Sequence, residues 1–486
     1  MVVWDYLFIL YFILVILTVI KIIFDTQDQV KALFYIFITV VFPVFGILIY
    51  FSFGINYRKN KMFSKKIFAD TKLQAEVAEK IRESIAIKGD EDDKTLIKYY
   101  NLIRFQANAD MAPLTQNSVT LLNNGEAFFP ELLASIETAR HHIHVEFYIW
   151  EDDKIGNRLK ALLIKKANEG VTVRVIYDDF GASGIKHRIR RELHEGGVEI
   201  YPFYKIRLIM LANRLNYRDH RKIVVIDGKT GFTGGINVSD KYINGPEEKK
   251  GKIKYWRDTG IKIVGPAVNS LQRNFIANWN FCSGTRIPIE ESLFPIALSA
   301  GKYGDDYMQI IASGPDSDFP YILYSCTSAI YNAKRSVYIT TPYFIPHENI
   351  MAAIIKAALS GIDCRIILPG ISDSAFVNAA TKSFVAELLK AGVRVYFYQK
   401  GFVHSKTMTV DEDLSIIGTA NMDNRSFELN FEINSVIYSP ALTRQLIDVF
   451  DSDLLDSTEV QWDEWSNRFI GRKFLNKIAR LFSPLL

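Results

Sequence analysis

The chain has 486 residues, 49% of them hydrophobic and 23% charged, with a formal net charge of +4. It is too long for one ordinary core, too apolar for a disordered chain and too weakly basic for a dedicated nucleic-acid binder. Its three cysteines, Cys282, Cys326 and Cys364, are odd in number, widely spaced and without a C-x-x-C, which argues against a disulfide framework or a thiolate metal site and for a reducing compartment.

The N-terminus predicts a membrane hairpin. Residues 4–24, "WDYLFILYFILVILTVIKIIF", and 32–54, "ALFYIFITVVFPVFGILIYFSFG", are apolar runs joined only by "DTQDQVK". Each exceeds the roughly 20 residues that cross a bilayer core, and Pro43 and Gly46 are tolerable in such a helix. No Lys or Arg precedes the first run and a second follows at once, which does not fit a cleaved signal peptide. Arg58, Lys59, Lys61, Lys65 and Lys66 follow the second run, so the positive-inside rule places everything beyond residue 55 in the cytoplasm, at the cell membrane. The expected order is an anchor over 1–56 and a basic, charged connector over 57–110, followed by two α/β halves at 111–295 and 296–486.

The halves are read from a repeat. "IHVEFYIW", "GNRLKALLIKKANEG" and "VTVRVIYD" predict strand, helix and strand, and "SVYITTPYFI", "ENIMAAIIKAALSG" and "IDCRIILPG" repeat the order. A βαβ pattern run twice predicts an α/β fold in two duplicated halves related by a pseudo-twofold axis.

The repeat carries the chemistry. "RDHRKIVVID" and "FVHSKTMTVD" both spell His-x-Lys-x-x-x-x-Asp, as His220, Lys222, Asp227 and as His404, Lys406, Asp411. An Asn follows each His by 17 residues, Asn237 in "GGIN" and Asn421 in "GTAN". Further on, "RDTGIKIVGPAV" aligns with "FEINSVIYSPAL", which sets Asp258 opposite Glu432 and leaves ten extra residues near "NGPEEKKGKIK" in the first half. On a strand His and Lys two apart share a face, whereas the Asp, five beyond the Lys, points to the other face. Asp227 and Asp411 are therefore expected to be structural or to link the halves. Asp258 and Glu432 are expected to bond the histidine Nδ1 atoms and fix their tautomers.

These motifs resemble those of the phospholipase D superfamily. The finer likeness is to bacterial cardiolipin synthases, carried by the hairpin, "EFYIWEDDKIG", "NYRDHRKIVVIDG", "WRDTG", "TPYFIP", "GTANMDNRSFELNFE" and the terminal "SPLL". The resemblance implies two phospholipase D-like halves behind two transmembrane helices. It also implies transfer of a phosphatidyl group from one phosphatidylglycerol to another, giving cardiolipin and glycerol. Its substrates and partners would be phosphatidylglycerol, other anionic lipids and the membrane, with no nucleic acid, no cofactor and no metal. The alternatives are another phosphatidyltransferase, a hydrolytic phospholipase D, or a membrane-tethered nuclease. A histidine would attack phosphorus to form a phosphohistidine, and a second would protonate the leaving alkoxide and then deprotonate the incoming alcohol. By likeness to two-motif relatives His220 is the nucleophile and His404 the acid/base. Arg218 and Arg221 beside His220 would favour its neutral form if their side chains come near the ring. Lys222 and Lys406 would supply charge, and Asn237 and Asn421 amide donors, to the phosphoryl oxygens; the family counts Asp227 and Asp411 as part of the motif.

Three other features attract notice. "HHIH" (His141, His142, His144) has no acidic or Cys partner at ligand spacing and reads as structural. "KHRIRREL" (186–193) is a solvated helix face or a patch for anionic headgroups. The tail "NRFIGRKFLNKIARLF" (467–482) is a basic amphipathic helix, either docked on the protein or laid on a membrane surface.

Overall fold

The computed structural model describes residues 2–26, 29–51, 93–185, 188–203, 217–245, 253, 255–296 and 303–483. The chain divides into two compact units, Met1–Phe68 with Tyr204–Arg218, and Ala69–Phe203 with Asp219–Leu486.

In the first unit the first apolar run is a single helix, Val2–Asp25, whose Lys21 and Asp25 pair at 3.0 Å. The second run differs from the continuous span expected of it. It is broken at Phe42 into helices Gln29–Val41 and Pro43–Ile49. Pro43 lacks the N–H that would continue the ladder and disfavours helical backbone in the residue before it, and Phe42 takes φ −130° and ψ 70°. Among the described residues no helix is long and apolar enough to cross a membrane. The side chains of Ile9, Phe24, Leu33, Phe37 and Phe45 are nonetheless exposed. The basic run 56–66 lies outside the described residues.

The second unit is built on one continuous mixed sheet. Its longer strands are β1 (Thr115–Asn123), β2 (His142–Phe147), β3 (Thr172–Asp178), β4 (Glu199–Phe203), β5 (Ile223–Ile226), β6 (Thr230–Gly234), β7 (Thr259–Val264), β8 (Asp306–Ser313), β9 (Ser336–Thr340), β10 (Asp363–Pro369), β11 (Arg394–Tyr398), β12 (Thr407–Val410), β13 (Leu414–Gly418), β14 (Asn430–Tyr438) and β15 (Ser457–Glu459). The first half runs β1-β7-β6-β5-β2-β3-β4 and the second β8-β14-β13-β12-β9-β10-β11-β15. The orders match strand for strand until β15 adds an edge. They join where β1 lies antiparallel to β8, with Thr115 facing Met308 and Asn117 facing Asp306.

The repeat is visible in the local chemistry. Parallel strands β2 and β3 need a crossover, supplied by helix Lys154–Asn168, which Asp153 caps by accepting from the Gly156 N–H. Gly170, at φ +88°, turns the chain into β3. In the second half helix Glu348–Leu359 joins β9 to β10, capped by the His347 ring, and Gly361 at φ +85° makes the same turn. Apolar residues of both halves, among them Ile223, Val225, Ile261, Met308, Ile310, Ile417 and Ile433, share one cluster across the join.

The end of the expected connector is not a linker. Helices Lys94–Lys98 and Tyr100–Ala109 bury Leu96, Tyr99, Leu102 and Ile103 in the core of the second half. Residues 52–92 lie outside the described residues, as do 246–252 and 254 of the first-half insertion, Lys186 and His187 of the basic run, and residues 484–486 of the tail.

Candidate active site

The two motif histidines lie in the turns just before β5 and β12, and each is held by the other half. The His220 N–H donates to the Phe431 carbonyl at 3.0 Å, and the His404 N–H donates to the Arg257 carbonyl at 2.7 Å. The next residue along each receiving strand is the acid. His220 Nδ1 lies 2.9 Å from the Glu432 carboxylate, and His404 Nδ1 lies 2.7 Å from the Asp258 carboxylate. All four side chains are buried. A carboxylate can only accept, so Nδ1 carries the donated proton and Nε2 of the neutral ring is left with its lone pair.

The lysines complete the symmetry and then depart from it. Lys222 Nζ donates to the His220 carbonyl at 2.7 Å, and Lys406 Nζ donates to the His404 carbonyl at 2.5 Å. Lys406 alone also touches its own histidine's Nδ1, at 2.9 Å. Each His and Lys pair falls in the irregular turn before a strand, β5 or β12, rather than on the strand itself. Burial pushes Lys222 down to about 8 and Lys406 to about 7. Burial also lowers His220 to about 4 and His404 to about 3, helped by Lys222 and Lys406, and outweighs the raising effect of Glu432 and Asp258. Each ring feels the lysine of the opposite half as well as its own. Both rings are thus neutral near pH 7 in the empty site.

The acids are supported unequally. Burial alone would raise the Glu432 carboxyl, but His220, Lys222 and the Thr419 hydroxyl hold it below the usual range. Thr419 Oγ1 donates to it at 2.5 Å and Asn430 Nδ2 at 3.1 Å. Asp258 Oδ1 accepts from the Thr259 N–H at 2.7 Å. The residue aligned with Thr419 is Gly235, and a Cβ there would come within 2.1 Å of Asp258 Oδ1. Glycine is what leaves room for that carboxylate.

Asn237 and Asn421 are buried nearby with part of their amide capacity engaged. Asn237 donates to the Tyr242 hydroxyl at 2.7 Å, and Asn421 donates to Asp423 at 3.1 Å. Each amide nitrogen has two N–H groups, so one remains in each case.

Asp227 and Asp411 contact neither histidine. Both sit at positive φ, 52° and 53°, in the turns after β5 and β12. Asp227 accepts from the N–H groups of Arg140, His141 and His142, at 2.8 to 3.0 Å. Asp411 accepts from those of Lys334, Arg335 and Ser336, and from Lys98 Nζ. Each carboxylate pins the start of the antiparallel neighbour of its own strand, β2 or β9. Burial works to raise them, but these donors hold both below the usual carboxylate range. A depressed folded-state pKa contributes stability that is complete above the unfolded value and is lost as pH falls through the folded one. Asp411→Asn is therefore expected to cost about 1–3 kcal/mol at neutral pH and much less near pH 3, the usual range for losing hydrogen bonds to a charged group. Urea unfolding at the two pH values checks this.

Arg221 does not approach the His220 ring. Its Nε donates to the Glu432 carbonyl at 3.2 Å and its Nη1 to Asn278 at 3.2 Å. The cations that depress His220 are Lys222 and Lys406. Sequence reasoning also missed the polar layer beneath. Asn278 donates to Glu146 at 2.6 Å, and Glu146 shares a hydrogen bond with Asp219, whose carboxyl burial pushes well above its usual range. The aligned residues of the second half, Thr340 and Val403, carry no such acids. Tyr148 meets the His220 ring at 4.9 Å, and Trp256, Phe402 and Tyr242 lie within 5.7 Å of the His404 ring. Tyr148, Trp256 and Phe402 lie inside the quoted motif contexts, whereas Tyr242 gave no advance sign.

The histidines of "HHIH" form a hydrogen-bonded chain with a helix. His142 and His144 bond the two ends of the Gln272 amide, at 3.2 and 3.0 Å, and His141 bonds His142 at 2.8 Å. Among the described residues no group of His, Cys, Asp or Glu is placed to hold a metal ion. Arg188 of the basic run pairs with Asp152 and Glu192.

A duplicated α/β sheet that sets two His-x-Lys motifs around one buried site is the phospholipase D-like class. The solved phosphatidylserine synthase of Haemophilus influenzae has this fold, with a TM-score of 0.61 at 15% identity over 79% of this chain and 100% of that one. The chain belongs to the family described as "Cardiolipin synthase, PLD-like domain", which it matches over residues 132–273 and 326–454. Residues 13–54 match "Phospholipase_D-nuclease N-terminal". The chain is 40% identical to the major cardiolipin synthase ClsA of Bacillus subtilis, over 98% of each chain. It is 39% identical to cardiolipin synthase 2 of Bacillus cereus, over 95% of this chain and 88% of that one.

Proposed function

We propose that this protein is a cardiolipin synthase. It transfers the phosphatidyl group of one phosphatidylglycerol to the terminal hydroxyl of another through a phosphatidyl-histidine. The observation that carries the mechanism is the crossed pair of histidine–carboxylate bonds. Two rings from opposite halves are fixed by Nδ1, leaving two Nε2 atoms for one phosphorus.

In the first step His220 Nε2 forms a bond to phosphorus and the bond from phosphorus to the glycerol oxygen breaks. The departing oxygen takes a proton from His404 Nε2, which that ring gains from solvent as the anionic phosphodiester binds beside it. In the second step the hydroxyl of the acceptor lipid gives that proton back to His404 and bonds phosphorus as the His220 Nε2–P bond breaks. Lys222, Lys406, Asn237 and Asn421 stabilise the phosphoryl oxygens, and no cofactor or metal takes part. The division of roles between the two rings is carried over from the likeness to two-motif relatives. His220 Nδ1 faces the Glu432 carboxylate, which keeps Nε2 free as the nucleophile.

Purified protein given labelled phosphatidylglycerol in mixed micelles should yield cardiolipin and glycerol. Phosphatidic acid as sole product would make it a hydrolase, and cleaved DNA with untouched lipid a nuclease; either outcome rejects the reading. The lysines set the pH dependence. Lys406, lowered to about 7, loses its proton as pH rises through that value. kcat/KM should therefore fall more steeply from near pH 7 upward, where this cation is lost, while His220, neutral above about 4, adds no limb of its own between about pH 5 and 7. Lys406→Arg should move the alkaline limb up to near pH 8, where Lys222 loses its proton, even where it lowers the maximum.

The N-terminal helices serve as a membrane anchor of two spans, with the halves 111–295 and 296–486 on the cytoplasmic side. The exposed apolar side chains of those helices and the five basic residues between 56 and 66 support this. Protease protection on intact cells tests it: cleavage beyond residue 60 from outside would reverse the topology.

A further inference from the structure

The C-terminal helix Ile470–Leu481 docks on the catalytic unit with the wrong face for a protein interior. Its contacts run along one edge. Ala479 is buried, the Arg480 guanidinium stacks 4.1 Å over the Phe384 ring and pairs with Glu387 at 3.3 Å, and Lys473 Nζ donates to the Ser466 carbonyl at 2.5 Å. The large apolar residues point away. Ile470 is 77% exposed, Leu481 72%, Phe474 64% and Leu475 62%, with Phe469 just before the helix at 73%. At about 100° per residue Ile470, Phe474, Leu475 and Leu481 share one arc of the helix, and Lys473 and Lys477 border it on one side. A soluble surface does not present four large apolar side chains on one 12-residue helix without a partner.

The helix also ends beside the site. The Phe482 ring meets Phe376 at 5.7 Å, in the first turn of helix Ala375–Lys390. Just ahead of that helix, Asp373 accepts from the Tyr343 hydroxyl at 2.7 Å and acts on Lys406. Asn424 donates to the Ser483 carbonyl at 3.3 Å and follows Asp423, the partner of Asn421.

We propose that this helix is an interfacial platform that lies in an anionic bilayer surface and seats the active-site rim against it. An apolar arc bordered by lysines suits the boundary between acyl chains and anionic headgroups, where each kind of side chain meets its own solvent. A second copy of the chain would cover the arc but would gain nothing from the cationic border. The inference rests on the lipid reading of the function only for its choice of partner. It adds a second membrane contact, at the opposite end of the sequence from the N-terminal helices.

The test uses the full chain in vesicles of phosphatidylglycerol and phosphatidylcholine. Phe474→Cys is labelled with an environment-sensitive fluorophore in a Cys282→Ser background, since the other two cysteines are buried. The expected result is a blue shift and quenching by lipids that carry a quencher on the acyl chain. Quenching by aqueous iodide alone would overturn the proposal. So would a signal that depends on protein concentration and ignores the lipid quencher, which would assign the face to a second copy. As a second readout, Phe474→Glu with Leu475→Glu should lower turnover on vesicles at least roughly fivefold and leave turnover on short-chain lipid dissolved in detergent unchanged. Equal loss on both substrates would also overturn it. If wild type is quenched by lipid yet makes no cardiolipin, the functional reading fails and the platform stands.

Discussion

His220→Ala is expected to abolish cardiolipin formation and to leave no covalent lipid adduct, whereas His404→Ala should still form the adduct slowly and release it poorly. The asymmetry is chemical. Without His220 no ring nitrogen is held by Glu432 facing the phosphorus, and the two-step route has no first intermediate. Without His404 the leaving glycerol oxygen must depart unprotonated and the acceptor hydroxyl must attack without a base, each step losing about 10²–10⁴-fold. Acid-quenched wild-type enzyme analysed by mass spectrometry should carry the phosphatidyl group on the peptide containing His220. An adduct on His404 would reverse the roles while keeping the two-histidine chemistry. Loss of less than roughly a hundredfold in both variants would reject that chemistry altogether.

The polar parts of this site were legible because the sequence writes them twice. Aligning the repeats put Asp258 opposite Glu432, and both carboxylates do bond histidine Nδ1 atoms. Which acid meets which histidine was not legible. The alignment relates the halves by symmetry and is silent on how they are joined. The exchange is made by short pairings between the halves, Phe402–Val403 parallel to Trp256–Arg257 and the His220 N–H on the Phe431 carbonyl, which set the start of one half's acid segment beside the other half's motif turn. The influence of Arg221 was misjudged for a related reason. A neighbour in sequence points away from the ring, while Lys222, two residues on, reaches it. The aligned sequences also treat Lys222 and Lys406 alike, yet only Lys406 touches its histidine's Nδ1, a difference of side-chain path that no spacing rule contains.

Strand–helix alternation was read correctly where apolar periodicity is strong, as in β2, β3, β9 and β10. It was lost where composition misleads. The stretch before residue 110 is charged enough to pass for a connector, but its apolar residues, Leu96, Tyr99, Leu102 and Ile103, fall at helical spacing and face one core. Lys98 then spends its charge on Asp411 and Asp413. In the second N-terminal run hydropathy gave an unbroken span, and the missing N–H of Pro43 divides it.

Because each acid serves the other half's histidine, Asp258→Asn and Glu432→Gln should impair different steps. Glu432→Gln leaves the His220 ring free to take the wrong tautomer, with its proton on Nε2, where the nucleophilic lone pair must be. Adduct formation should slow by about 10²–10⁴-fold, while an adduct once formed is released normally. Asp258→Asn removes the carboxylate that stabilises a protonated His404. It should slow both protonation of the leaving oxygen and activation of the acceptor, so adduct that does form accumulates instead of turning over. Gly235→Ala should behave like a milder Asp258→Asn, because the added methyl occupies the space of Asp258 Oδ1. Single-turnover quench with labelled phosphatidylglycerol separates the two rates. If Asp258→Asn slowed only adduct formation and Glu432→Gln only release, each acid would be acting on the histidine of its own half and the exchange would be wrong. If Glu432→Gln slowed both steps just as Asp258→Asn does, the acids would be reduced to a shared structural role, which thermal unfolding of the two variants would reveal as a parallel loss of stability.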